Sequence, residues 1–102
     1  MPMYDMANLA KMKTMSEVAP DVLSAFKAFD KAAFAAGALE VKVKELIAVA
    51  VGVTTQCPYC IEIHAKRAKQ AGATDAEITE ATMVAAAIRA GGAVTHATHA
   101  LC

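Results

Sequence analysis

Apolar side chains that recur every three or four residues, in segments bounded by proline and glycine, most constrain what this chain can fold into. The first segment begins at Pro20, which suits a first helical turn because its missing N–H would have had no partner there. One helix face then follows in steps of four, three and four, through Val22, Phe26, Phe29 and Ala33. Gly37 supplies a C-terminal stop. This spacing predicts a helix after Pro20.

The next segment is ambiguous at its start. Residues 39–44 alternate apolar and charged side chains, which is typical of a strand. A helical spacing then takes over, through Val43, Leu46, Ile47 and Ala50. We expect a helix that ends near Val53, with Glu45 close to its start and Thr54-Thr55-Gln56 breaking the apolar run.

Two more helices are indicated after Pro58, which again fits a first helical turn. The first of them runs to Ala71 and stops at Gly72. Residues 74–77, Thr-Asp-Ala-Glu, then form a capping box that begins the second. Its predicted buried stripe consists of Ile78, Ala81, Ala85 and Ile88.

A glycine pair predicts a break in that last helix. Gly91 and Gly92 disfavour helix, and we expect them to interrupt or kink it. A final helical stretch carries Val94, Ala97 and Leu101. The segments together predict an all-α helical bundle with a single domain over residues 1–102, in which residues 1–15 are loosely ordered.

The composition favours a homo-oligomer. Hydrophobic residues make up 57% of the 102 residues, but aromatic residues make up only 5% and tryptophan is absent, so alanine supplies most of the apolar content. Small side chains favour helix but bury little area each. A single chain with this content would expose apolar patches. A compact alanine-rich monomer is the alternative.

Charge and hydropathy exclude several partners. Ten basic residues balance ten acidic ones, whereas a nucleic-acid surface needs clustered positive charge. The longest apolar run, Leu46 to Val53, is about half of the roughly 20 residues that cross a membrane. Residues 1–14 lack the apolar region of a signal peptide. We therefore expect a cytoplasmic protein, in which a cysteine pair is more often redox-active or metal-binding than structural.

Two cysteines stand where the helix after Thr54-Thr55-Gln56 begins. Cys57 precedes Pro58 and Cys60 lies in the first turn, so a disulfide between them needs little backbone movement. A helix N-terminus carries roughly half a positive charge, which stabilises a thiolate. Such a position lowers a cysteine pKa from about 8.5 toward neutrality or below. Since the thiolate is the nucleophile, the position itself favours reactivity.

His64 and Glu45 are the side chains expected to carry protons beside these thiols. His64 follows Cys60 by four residues, which places both on one helix face. There an imidazole can accept the thiol proton. Glu45 lies in an almost wholly apolar helix, where a carboxylate needs a partner. If the two helices are antiparallel, Glu45 reaches the same face and exchanges protons with it.

Three other interpretations fit part of the pattern. A thioredoxin-like fold would make Leu46–Val53 a strand, but it requires a later cis-proline, and no proline follows the CxxC motif. A zinc-binding module could use both cysteines and His64, with a fourth ligand from Glu45, His96 or His99. A non-catalytic oligomer of the same fold is the third. We predict neither a metal nor another cofactor, and we interpret Cys102 as an ordinary thiol at the chain end.

The stretches from Lys44 to Ala48 and from Cys57 to His64 resemble the carboxymuconolactone decarboxylase-like superfamily, and most closely its alkylhydroperoxidase D-like branch. That branch carries a glutamate, the first cysteine of CxxC twelve residues later, and a histidine four residues after the second cysteine. The residues that match this spacing are Glu45, Cys57, Cys60 and His64. The resemblance extends from about Pro20 to Leu101.

The resemblance implies an all-α enzyme, a hexamer or a trimer, that reduces peroxides. In the family pattern the second cysteine, here Cys60, attacks the hydroperoxide and becomes a sulfenic acid. The first, here Cys57, condenses with it to a disulfide. Glu45 and His64 would relay protons, and a dithiol donor, either a lipoyl group or a thioredoxin-like protein, would restore the thiols.

Tyr59 departs from the family pattern. The better-studied peroxidases carry histidine between the two cysteines, and a phenol is a poor proton shuttle at neutral pH. We therefore expect a weaker peroxidase or a different substrate. The decarboxylases that give the superfamily its name generally lack the cysteine pair, which disfavours lactone decarboxylation here.

Overall fold

The structure is a computed structural model that describes residues 4–102. Within this range it has five α-helices: α1 (Met12–Val18), α2 (Pro20–Phe34), α3 (Val41–Thr54), α4 (Pro58–Gln70) and α5 (Asp75–His96). Two 3-10 helices, Met6–Lys11 and Ala97–Ala100, flank this series. No strand occurs in the described range, so the predicted all-α class is confirmed. The strand alternative for residues 39–44 is wrong, because α3 already begins at Val41.

The chain divides into two compact units, Met1–Val41 and Lys42–Cys102, and the prediction of a single domain stays a prediction. The first unit contains α1 and α2, and Leu23 is buried in it. Helix α2 begins at Pro20 as predicted, but it ends before Gly37 because Ala35 is already extended. The apolar side chains of its predicted face are exposed, namely those of Val22, Phe26 and Phe29.

The N-terminal segment predicted to be loosely ordered is partly helical. From Met6 onward it lies in the 3-10 helix Met6–Lys11 and in α1, and Asp5 caps the 3-10 helix by accepting the Ala7 N–H at 2.9 Å. Residues 1–3 lie outside the described residues.

In the second unit, one face of α3 is buried. Its members are Glu45, Val49 and Gly52, which are spaced as i, i+4 and i+7 and therefore lie on one side of the helix. Val49 is 2% exposed, and Ala68 of α4 is fully buried. This face combines an acid, a branched side chain and a glycine, and its two ends form the candidate site described below.

The junction between α4 and α5 follows the sequence prediction. Gly72 has a φ of 97°, a left-handed conformation that glycine adopts readily. The Glu77 N–H donates to Thr74 Oγ1 at 3.1 Å, and the Thr74 N–H donates to Glu77 Oε1 at 2.9 Å, which completes the capping box. Lys42 Nζ donates to Glu77 Oε2 at 2.9 Å. Its hydrogen bond, together with that of the Thr74 N–H, holds the pKa of Glu77 below its usual range.

Helix α5 differs from the prediction in two respects. It runs from Asp75 to His96 without interruption, so the predicted interruption at Gly91 and Gly92 is wrong, whereas the alternative of a kink there stays a prediction. A glycine costs only about 1 kcal/mol relative to alanine inside a helix, and the surrounding alanines favour helix. The predicted stripe is half-buried at Ile78, Ala81 and Ala85 but 72% exposed at Ile88. No helix among the described residues has the length and apolar character of a membrane span.

Candidate active site

The turn between α3 and α4 places Cys57 at the start of α4. Gln56 has a φ of 56°, a left-handed conformation that is uncommon outside glycine. Its N–H donates to the Val53 carbonyl at 3.3 Å, and the Cys57 N–H donates to the Gly52 carbonyl at 3.0 Å. These two bonds form a Schellman motif, in which glycine usually occupies the position of Gln56. Cys57 is therefore held by the end of one helix as it begins the next.

Cys57 is the N-cap of α4, and Cys60 lies in its first turn. The Cys57 carbonyl accepts the Ile61 N–H at 3.0 Å, and Cys57 Sγ accepts the Cys60 N–H at 3.3 Å. The two cysteines form a disulfide, with Cα atoms 5.3 Å apart, a separation usual for this bond. Both side chains are half-buried. The cysteine pair thus stands at a helix N-terminus, as the sequence predicts.

Glu45 and His64 form a second pair between α3 and α4. Glu45 Oε2 lies 2.7 Å from His64 Nδ1, and the two side chains are 4% and 15% exposed. The buried carboxylate therefore has the partner that its removal from water requires. In the tautomer whose Nδ1–H donates a hydrogen bond to this carboxylate, the neutral imidazole carries its free lone pair on Nε2. That nitrogen is the one that can accept a proton.

Helix geometry connects the two pairs. Cys60 and His64 are one turn apart on the same face of α4. Near the end of α3, Gly52 lies against Cys60, whereas Glu45 near the start of α3 contacts His64. The later residue of α3 thus faces the earlier residue of α4, so the helices have the antiparallel arrangement that bringing Glu45 to this face required. All four predicted site residues belong to the second unit.

Gly52 is a site residue that the sequence analysis missed. A Cβ at this position would lie 3.1 Å from Cys60 Cβ and 3.5 Å from the Ile61 backbone nitrogen. The available signal was a lone glycine inside an apolar helical run, where it weakens the helix and often marks a close approach.

The remaining candidate residues lie at the C-terminal end of the chain. The His96 and His99 rings contact each other edge to face, with centroids 5.7 Å apart. Cys102 is an exposed thiol. Across residues 4–102, no group of three or more His, Cys, Asp or Glu side chains is arranged to hold a metal ion.

Comparison with known proteins decides the family. The sequence pattern of the carboxymuconolactone decarboxylase family matches residues 20–101. The chain belongs to this family. The family-level resemblance predicted from the residues around Glu45 and the cysteine pair is thereby confirmed.

Individual proteins and solved structures are also similar to this family member. An uncharacterised protein of the cox locus of Paracoccus denitrificans is 49% identical over 92 residues, which cover 90% of this chain and 83% of the relative. A crystal structure from Methanobacterium thermoautotrophicum has a TM-score of 0.80 and 40% identity, and the match covers 86% of this chain and 99% of that one. An apo family member from Legionella pneumophila has a TM-score of 0.75 and 32% identity, with 91% and 83% covered.

Proposed function

We propose that this family member is a thiol-dependent peroxidase that reduces small hydroperoxides through Cys57 and Cys60. The observation that carries the proposal is the 2.7 Å contact between Glu45 and His64, one helical turn from a cysteine pair that forms a disulfide. A buried carboxylate that orients an imidazole beside a thiol is the arrangement of an activated nucleophile. The cysteine pair also favours thiol chemistry over the decarboxylation after which the family is named.

The first step consumes the hydroperoxide. His64 takes the Cys60 proton, and the Glu45 carboxylate stabilises the imidazolium through Nδ1. The Cys60 thiolate attacks one peroxide oxygen and the O–O bond breaks. Cys60 becomes a sulfenic acid, and the alkoxide that leaves takes a proton from His64 and departs as an alcohol.

The second step forms the disulfide. The Cys60 N–H that donates to Cys57 Sγ at 3.3 Å stabilises a negative charge on that sulfur. The Cys57 thiol loses its proton, its thiolate attacks the Cys60 sulfenic acid sulfur and the S–O bond breaks; the hydroxide that leaves takes up that proton and departs as water. A dithiol donor, a lipoyl group or a thioredoxin-like protein, then takes up the oxidising equivalents by exchange. Because the thiols must be regenerated, we place the protein in the cytoplasm, where thiol reductants operate.

The same hydrogen bond favours a second candidate function, which is thiol–disulfide exchange without peroxide. A thiolate at Cys57 would attack an external disulfide and form a mixed disulfide, which Cys60 would then release. Tyr59, half-buried between the cysteines, supplies no imidazole for peroxide chemistry, which is consistent with such a substrate.

Rapid mixing of the reduced protein with hydrogen peroxide and organic hydroperoxides tests the proposal. Each hydroperoxide consumed should convert one pair of thiols to the Cys57–Cys60 disulfide, read by alkylation and mass spectrometry. Cys102 is an internal control, because it is an exposed thiol of the same chain. We expect the pair to react at least about 100-fold faster than Cys102, the low end of acid–base catalysis. Equal reaction rates for the pair and for Cys102 would favour the non-catalytic alternative. Metal analysis of the purified protein is a separate test, and stoichiometric zinc would favour the zinc-binding module.

We also propose that the protein is a homo-oligomer, a hexamer or a trimer. Both units expose large apolar side chains that a monomer would leave in water, among them Phe26, Phe29, Met83, Val84, Ile88 and Val94. Sedimentation velocity at several concentrations should give a mass that is a multiple of the 10.6 kDa chain. A constant mass of one chain across the micromolar range would contradict this prediction.

A further inference from the structure

We infer that Gly52 is a positioning residue that holds Cys57 and Cys60 at the separation their disulfide requires. It is a buried residue in the last turn of α3 and takes no part in the proton transfers described above. The inference rests on the proposed function only in assigning the redox chemistry to this cysteine pair. Two separate observations carry it. The Gly52 carbonyl binds Cys57, and the lack of a side chain on Gly52 lets Cys60 approach closely.

The hydrogen bond to the Gly52 carbonyl fixes the position of Cys57. The Gly52 carbonyl accepts the Cys57 N–H at 3.0 Å. It is one of the last four carbonyls of α3, which have no partner inside the helix. The bond therefore satisfies the end of α3 and ties the first cysteine to it. If Cys57 moved away from α3, this carbonyl would keep only the longer hydrogen bond from the Thr55 hydroxyl, at 3.4 Å.

The absence of a side chain on Gly52 determines how closely Cys60 can approach α3. A Cβ on Gly52 would lie 3.1 Å from Cys60 Cβ and 3.6 Å from the Cys60 carbonyl carbon. The backbone nitrogen of Ile61, at 3.5 Å, would be in ordinary contact, so the tight approach is the one to Cys60 Cβ, an atom fixed to the backbone of α4. A side chain at Gly52 would push this turn outward.

A Cβ added to Gly52 would affect the two cysteines differently. Cys57 stays bonded to the Gly52 carbonyl, whereas Cys60 is displaced, so the 5.3 Å separation of their Cα atoms changes. The Cβ atoms of a disulfide usually lie within the narrow range of about 3.5–4.5 Å, so a shift of Cys60 Cβ changes how readily the bond forms. Gly52 should therefore favour the disulfide over the two thiols.

The oxidation equilibrium with glutathione measures this effect directly. The two thiols react with one glutathione disulfide to give the Cys57–Cys60 disulfide and two reduced glutathiones, so that two electrons and two protons pass to glutathione. We expect Gly52→Ala to lower this equilibrium constant about tenfold, which corresponds to about 30 mV for a two-electron couple. The matched control is Gly92→Ala, also within a helix, where an added Cβ meets nothing within 4 Å. It should stay within twofold of the unsubstituted protein.

Three outcomes are informative. A Gly52→Ala protein with native circular dichroism and an equilibrium within twofold would overturn the inference. If Gly52→Ala does not fold, the double variant Gly52→Ala/Cys60→Gly tests the clash, because it removes the Cβ that opposes the new one. This double variant should fold as well as the Cys60→Gly variant does. Failure of that rescue would also overturn it. Because no peroxide enters the measurement, loss of the peroxidase proposal would leave the comparison intact.

Discussion

The Cys60→Ser variant is expected to lose all hydroperoxide-dependent turnover while keeping its helical circular dichroism. Serine replaces the sulfur that attacks the peroxide, and its hydroxyl forms neither a sulfenic acid nor a disulfide. The half-buried position of Cys60 accepts serine with little change in volume. Hydroperoxide consumption in the presence of dihydrolipoamide measures the loss. The control is Cys102→Ser at the exposed thiol, which should turn over normally.

Cys57→Ser should instead react once and stop. Cys60 can still attack the peroxide, but no second thiol condenses with the sulfenic acid that results. Dimedone should then label about one sulfenic acid per chain at Cys60. Label at Cys57 in the Cys60→Ser protein would reverse the two roles and support disulfide exchange from Cys57. Full turnover by both variants would rule out the dithiol mechanism.

Glu45→Gln is expected to slow both peroxide reduction and thiol alkylation at Cys60 by about 100-fold without unfolding the protein. The amide keeps the shape of the buried carboxylate but carries no charge to stabilise the imidazolium of His64. It can also donate to Nδ1, which would move the imidazole proton to Nε2 and remove the base. Alkylation rates measured across the pH range report the effect on the thiol directly.

The control for this prediction is Glu62→Gln, which neutralises an exposed carboxylate on α4. It should change the alkylation rate by less than twofold. If Glu45 acts through His64, then Glu45→Gln/His64→Gln should be no slower than His64→Gln alone, since residues that act as a unit are not additive. An alkylation rate unaffected by Glu45→Gln would remove this carboxylate from the relay.

Local signals were sufficient to predict much of the fold. Proline at the first helical turn, glycine in a left-handed stop at Gly72 and the capping box at Thr74 each depend on a few neighbouring residues. Such features can therefore be predicted without knowing what packs where. The predicted interruption at Gly91 and Gly92 does not occur, because a small penalty of about 1 kcal/mol per glycine is outweighed by the alanine-rich helix around the pair.

Burial was harder to predict than helix formation. Periodicity identifies which side chains share a face, but it does not say what covers that face. Ile88 lies on the predicted buried stripe and is 72% exposed, and Phe29 of α2 is 71% exposed. Both exposures are what the proposed homo-oligomer would explain.

The sequence by itself determined helices α2 to α5, the placement of Cys57 and Cys60 at a helix start, and the one-turn spacing from Cys60 to His64, because each depends on backbone geometry over a few residues. Only the tertiary structure decided that Glu45 meets His64 at 2.7 Å and that Gly52 makes room for Cys60. These contacts depend on the rotation and approach of two antiparallel helices. That approach is set by side-chain volumes and a left-handed turn at Gln56, which no periodicity encodes.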